Sequence, residues 1–126
     1  MAELKKGQKK ILKSELTAVE NKYPHRDYEV SITLPEYTCL CPMTGYPDFA
    51  TIHITYVPDQ LLLELKSVKL YINKFRDQEV FHEEATNKIL EDLVAACQPR
   101  WMEVVGDFNP RGNVKTVVRT EYKKEA

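Results

Sequence analysis

No apolar run in the 126-residue chain approaches the ~20 residues that a membrane-spanning helix needs, so helical membrane proteins are excluded. The amino end, Met1-Ala-Glu-Leu-Lys-Lys, has no apolar stretch followed by a cleavage site, so a soluble cytoplasmic protein is expected and an exported one is not. Cysteine is scarce and odd in number: Cys39, Cys41 and Cys97 form no disulfide framework, which points to a reducing compartment and free thiols. Charge of one sign is also lacking. Eighteen Lys and Arg against nineteen Asp and Glu leave a net −1, so neither a nucleic-acid partner nor a membrane surface is expected, and any anion site must be local. The four glycines never form Gly-X-Gly-X-X-Gly after a strand, which excludes a Rossmann crossover. Repeats and low-complexity segments are absent, and the length suffices for one core only. A single domain over residues 25–126 is expected, preceded by a solvated, mobile arm at 1–24 that carries Lys5-Lys6 and Lys9-Lys10.

What is present is a strong period. Val30, Ile32 and Leu34 alternate with polar residues as in a half-buried strand, which Pro35 is expected to end. Ile52, Ile54 and Tyr56 do the same over 49–57. Residues 60–75 are helical at least in their later part, and Phe81, Ala85, Ile89, Leu93 and Cys97 fall four apart on a helix that Gln98-Pro99 stops. Strands at 101–108 and 114–122 flank a turn at 109–113. The order is ββααββ, an α+β antiparallel sheet with two helices on one face. Such a sheet leaves its other face and both edges open, and subunits pairing side by side into a barrel would close them.

Chemistry-bearing residues cluster in four short segments. Cys41 and Asp48 lie at the two ends of a Pro- and Gly-rich loop between neighbouring strands, which can bring them face to face. A thiolate adds to an unsaturated carbon, and a partly buried carboxyl supplies the proton that the addition needs. A packed thiol and a turn-forming Asp satisfy the same spacing. Zinc held by Cys39, Cys41, Cys97, His53 or His82 is disfavoured, because Cys-X-Cys lacks the usual spacer and Cys97 lies on the helix's core stripe. Glu83, beside His82 and away from that stripe, can accept paired hydrogen bonds from a guanine-like or pterin-like heterocycle, or simply favour the helix start. Lys66 and Lys69 stand three apart with Ser67 between them, a grip for phosphates or an ordinary solvated face.

Four motifs together, Leu-Cys41-Pro-Met-Thr-Gly-Tyr-Pro-Asp48-Phe, Glu64-Leu-Lys-Ser-Val-Lys-Leu-Tyr71, Phe81-His82-Glu83 and Phe108-Asn-Pro-Arg111-Gly, resemble the NADPH-dependent 7-cyano-7-deazaguanine reductases. These are the single-module nitrile reductases of queuosine biosynthesis, and the resemblance spans residues 28–123. It implies the tunnelling fold, in which ββααββ subunits form barrels with sites at subunit interfaces. It further implies Cys41 as the nucleophile that forms a covalent thioimide, Asp48 as proton donor, and Glu83, His82, Glu64 and Ser67 as substrate contacts. Lys66, Ser67, Lys69 and Tyr71 would hold NADPH, and no metal is needed. The expected product is 7-aminomethyl-7-deazaguanine. Cys39 stands where the family has Ser, Tyr46 where Gln is common, and Asn113 where a second Gly is usual; Arg111 receives no defined role beyond a contact at the site.

Two rivals remain on the sequence. One is the amidine-forming relatives that act on the nitrile within archaeal tRNA, which lack the motif Glu64–Tyr71. The other is a non-catalytic protein of the same fold that binds a purine or pterin.

Overall fold

β-Branched and aromatic residues alternating with polar ones build the long strands of the computed structural model, which describes residues 3–125. In chain order the elements are α1 (Lys6–Lys13), β1 (Ala18–Glu20), β2 (Val30–Leu40), β3 (Pro47–Val57), β4 (Leu61–Leu63), α2 (Leu65–Asn73), a 3₁₀ turn (Lys74–Asp77), α3 (His82–Cys97), β5 (Trp101–Arg111) and β6 (Val114–Lys123). The main sheet is antiparallel in the order β2-β3-β5-β6, and β1 pairs with β4 in a separate ribbon. Helix α2 packs on β2, and α3 packs on β5 and β6. Ile52, Ile54, Tyr56, Met102 and Val104 of the sheet share one buried cluster with Val68, Ile72, Ala85, Ile89 and Leu93 of the helices. The ββααββ order expected from periodicity is therefore present, as β2-β3-α2-α3-β5-β6, in an α+β fold.

Two bulges set which side chains face that core. The register runs from Leu34 opposite Ile52 to Tyr37 opposite Ala50, so β2 holds one extra residue at Pro35-Glu36. Pro35 does not end the strand, because β2 is an edge and a bulge tolerates a residue with no N–H. The extra residue flips the alternation: inward positions are even up to Leu34 and odd from Tyr37, which buries Cys39 and puts Cys41 in line with it. A second bulge at Asn109-Pro110 does the same in β5, between Phe108 opposite Thr116 and Arg111 opposite Val114. The turn that follows is thus Gly112-Asn113 rather than the whole of 109–113. Both residues have positive φ (56° and 70°), the requirement of a two-residue hairpin turn of type I′.

Three further segments complete the order. Residues 60–75 begin with the short strand β4, and helix α2 occupies the later part, as expected. Phe81 is outside the core stripe: it is the residue before α3's first turn and is about half exposed. Residues 17–21 of the amino-terminal segment are hydrogen-bonded to the rest of the chain. The Thr17 N–H donates to Ser67 Oγ (3.1 Å), the Glu64 N–H donates to Thr17 O (3.0 Å), and the buried Asn21 side chain donates to Asp59 O (2.7 Å). An eight-residue helix is marginal alone in water, and α1 lies against α2.

Helix α3 approaches β5 closely because Gly106 has no side chain. A Cβ there would fall 2.5 Å from Thr86 Oγ1 and 3.2 Å from Phe108 Cε2. Gly106→Ala is therefore expected to destabilise the protein by about 1–3 kcal/mol in urea denaturation, with Thr86→Ala in the same chain recovering part of the loss. A Gly106→Ala protein as stable as the parent would contradict this packing.

Candidate active site

The end of β2 is held to the segment before α3 by backbone pairing. The Leu40 N–H donates to Gln78 O (2.9 Å) and the Val80 N–H donates to Leu40 O (3.0 Å), a short parallel bridge. Cys41, the next residue, is thereby brought beside Phe81, His82 and Glu83. Asp48 arrives from the neighbouring strand, since the register places it opposite Cys39. The loop between them closes on itself: the Cys41 N–H donates to Tyr46 O and the Gly45 N–H to Cys41 O, both at 2.8 Å. Gly45 has φ +75°, a conformation that glycine adopts without strain.

Cys41, Pro42, Asp48, Phe81, His82, Glu83 and Arg111 line one cavity of about 190 Å³. Asp48 is 6% exposed, and its two oxygens are taken from two directions: Oδ1 accepts from Arg111 Nη1, and Oδ2 lies 3.2 Å from His82 Nε2. The His82 ring is stacked on Phe108 at 3.9 Å and 9°, and the Thr86 hydroxyl donates to His82 O (2.8 Å). The close approach at Gly106 is thus what seats the imidazole. Arg111 Nη2 also donates to Thr44 Oγ1 (3.3 Å), and its guanidinium lies over the Tyr46 ring.

The three thiols differ in acidity. Hydrogen bonds from the Thr44 side chain, then from the Thr44 and Met43 backbone, hold the Cys41 pKa below the ordinary thiol value, against opposing desolvation and the Asp48 charge. Burial raises that of Cys39 and pushes Cys97 up to about 12. Cys41 is the partly exposed one of the three. Among the described residues no group of three or more His, Cys, Asp or Glu side chains is placed to hold a metal ion.

Sequence reasoning singled out Cys41, Asp48, His82 and Glu83, and the structure brings these four together. It missed Thr44, and it gave Arg111 a contact at the site without naming Asp48 as the partner. The signal for Arg111 was Pro110 before it, a residue that marks a bulge when it falls inside a strand. The other set lies elsewhere. Lys66 and Lys69 are exposed on the outer side of α2 and border two different cavities, neither containing Cys41. Glu64 is the N-cap of α2, its carboxylate accepting from the N–H of Lys66 (2.6 Å) and Ser67 (3.0 Å). Ser67 Oγ donates to Glu64 O (2.7 Å), and the Tyr71 hydroxyl donates to Asp92 Oδ2 (2.7 Å), so both of these side chains face inward.

A ββααββ sheet with helices on one face, and a cysteine and a carboxyl group lining one cavity at its end, define a tunnelling-fold protein. The archaeosine synthase QueF-Like in its apo form superposes with a TM-score of 0.72, covering 78% of this chain and 96% of that one at 22% identity, which establishes the shared fold. A family model described as QueF-like protein matches residues 47–126, a span that includes Asp48, Glu83 and Arg111. The NADPH-dependent 7-cyano-7-deazaguanine reductase of Microcystis aeruginosa is 59% identical over 98% of this chain and 94% of its own length. The enzyme of the same name from Thermosynechococcus vestitus is 50% identical over 99% and 95%. The chain belongs to the QueF-like family.

Alkylation reads the thiol environment directly. With iodoacetamide, native protein is expected to react at Cys41, with a pH midpoint below that of an ordinary thiol, and at Cys39 and Cys97 only after unfolding. Thr44→Val should move the Cys41 midpoint upward, because it removes a hydrogen bond to the thiolate; an unmoved midpoint would contradict the assignment.

Proposed function

We propose that the chain is an NADPH-dependent nitrile reductase that converts 7-cyano-7-deazaguanine to 7-aminomethyl-7-deazaguanine, the reaction class of its close relatives and a step of queuosine biosynthesis. The observation that carries this reading is the pairing of an acidified Cys41 with a buried Asp48 across a cavity bordered by Glu83.

Glu83 accepts the ring N–H and exocyclic amine of the substrate side by side, which turns the nitrile toward Cys41. The Cys41 thiolate adds to the nitrile carbon, forming a C–S bond, and the nitrogen takes its proton from Asp48 to give a thioimide. Bound NADPH supplies one hydride in each of two successive reductions, four electrons in all. Between them the C–S bond breaks and Cys41 leaves as thiolate. His82, hydrogen-bonded to Asp48 and fixed by Phe108, is placed to return protons to that carboxylate. Lys66 and Lys69, three apart on one side of α2, fit the cofactor phosphates. Glu64 shapes the start of that helix, and the inward-facing Ser67 and Tyr71 fix its distance from the core.

The cofactor helix and Cys41 border separate cavities, which favours a homo-oligomer whose sites combine α2 of one subunit with Cys41 of another. Exposed Phe49 and Val117 on the sheet's outer face and the free edges β2 and β6 suit such an assembly. Three free thiols suit the cytoplasm. A small-molecule substrate, not a nucleic acid, is the partner that a cavity of this size accommodates.

Mixing the protein with 7-cyano-7-deazaguanine alone should give a covalent adduct of the substrate's mass, absent in Cys41→Ala. Added NADPH should consume the adduct, with two NADPH oxidised per amine formed, and Asp48→Asn should lower turnover by about 10²–10⁴. An adduct inert to NADPH but cleaved by ammonia would replace this reading with the amidine-forming one, and ligand binding without an adduct would replace it with a binding protein.

A further inference from the structure

The densest concentration of one charge sign lies on α1, and the mechanism above leaves it unused. Lys6, Lys9, Lys10 and Lys13 fall at i, i+3, i+4 and i+7, the spacing of a single helix face. All four are exposed, and together with Lys66 of α2 they border a cavity of about 490 Å³ that no carboxylate lines. Among the described residues none of these five ammonium groups takes part in an ion pair.

Such a face is unfavourable in the free chain. Lys6 and Lys10, and Lys9 and Lys13, are like charges four apart, which weakens a helix. The helix dipole favours Lys10 and Lys13 in the last turn but does nothing for Lys6 or Lys9. An ordinary solvated lysine face interleaves acids, and Lys6-Gly-Gln-Lys-Lys-Ile-Leu-Lys13 contains none. A multivalent anion seated among the lysines removes the repulsion. Its chemistry follows from the neighbour: Lys66 is one of the two cations that the proposed function gives to the cofactor phosphates, and α1 packs against the same helix.

We propose that Lys6, Lys9, Lys10, Lys13 and Lys66 form the pocket for the 2′-phosphate of NADPH and set the preference for NADPH over NADH. The inference rests on the reductase reading. The 2′-phosphate is the group that distinguishes the two cofactors, and a second cluster of cations beyond α2 is the feature its extra charge needs. A nucleic acid is disfavoured as the occupant. Its binding draws on some 6–10 phosphate contacts along a stripe, and a chain of net charge −1 with one confined cluster offers no such stripe.

The test has two arms, one independent of turnover. By calorimetry, the parent protein should bind adenosine 2′,5′-bisphosphate at least about tenfold more tightly than 5′-AMP, and a Lys9→Gln/Lys10→Gln/Lys13→Gln variant should bind both alike. In steady state, the variant's ratio of kcat/KM for NADPH to that for NADH should fall by the same factor. Equal binding of the two nucleotides by the parent, or an unchanged cofactor ratio in the variant, would overturn the proposal. So would an RNA hairpin that binds through these lysines while nucleotide discrimination persists. A parent protein that oxidises no NADPH yet still discriminates the two nucleotides would leave the 2′-phosphate pocket standing and remove the reductase reading instead.

Discussion

A carboxyl group at the end of the sheet, nearly out of water, must find hydrogen-bond partners for both of its oxygens. Asp48 is that group, and much of the local architecture satisfies it. Arg111 takes one oxygen and His82 faces the other, and each of those side chains is delivered by a feature with no other evident purpose. The bulge at Asn109-Pro110 turns the exposed Arg111 toward Asp48. Gly106 lets α3 settle on β5, so that Thr86 and Phe108 lock the imidazole. The bulge at Pro35-Glu36 shifts the alternation of β2 by one residue ahead of Cys39 and Cys41.

The same arrangement divides labour among three sulfurs of one type. Cys39 and Cys97 are sealed in the core, where burial keeps them protonated and inert. Cys41 sits two residues past Cys39 on the same side, yet it lies in a loop whose Thr44 and Met43 donors favour the thiolate. Position along a strand decides burial, and the loop decides acidity. Arg111 joins the two centres by touching both Asp48 and Thr44, so the side chain that holds Asp48 also steadies the loop around Cys41.

The long strands and α3 were legible because period two and period four survive in Ile52-Ile54-Tyr56 and in Ala85-Ile89-Leu93-Cys97. The short pair β1 and β4, three residues each, is too brief to show a period, and α1 carries charge where an apolar stripe would have announced it. Pro35 misled for a physical reason: whether a proline ends a strand depends on whether that strand is an edge, which only the sheet order reveals. At the site, residue type and loop length made Cys41 and Asp48 candidates without deciding between a reactive and a packed pair, and the four motifs together singled them out with His82 and Glu83. The partner of Arg111, and Thr44 altogether, stayed hidden because a bulge and a closed loop bring them in. On α2 the motif grouped Ser67 and Tyr71 with Lys66 and Lys69, but only the two lysines are exposed, while Ser67 and Tyr71 are buried with Val68 and Ile72.

The central claim is that Cys41 attacks a nitrile whose nitrogen faces Asp48. A crystal structure of the adduct formed with 7-cyano-7-deazaguanine in the absence of cofactor tests it most directly. The account predicts a bond from Cys41 Sγ to the former nitrile carbon, its nitrogen about 2.6–3.2 Å from an Asp48 oxygen, and the pyrimidine edge on the Glu83 carboxylate. An adduct on another residue, or one on Cys41 whose nitrogen points away from Asp48 toward solvent, would contradict it.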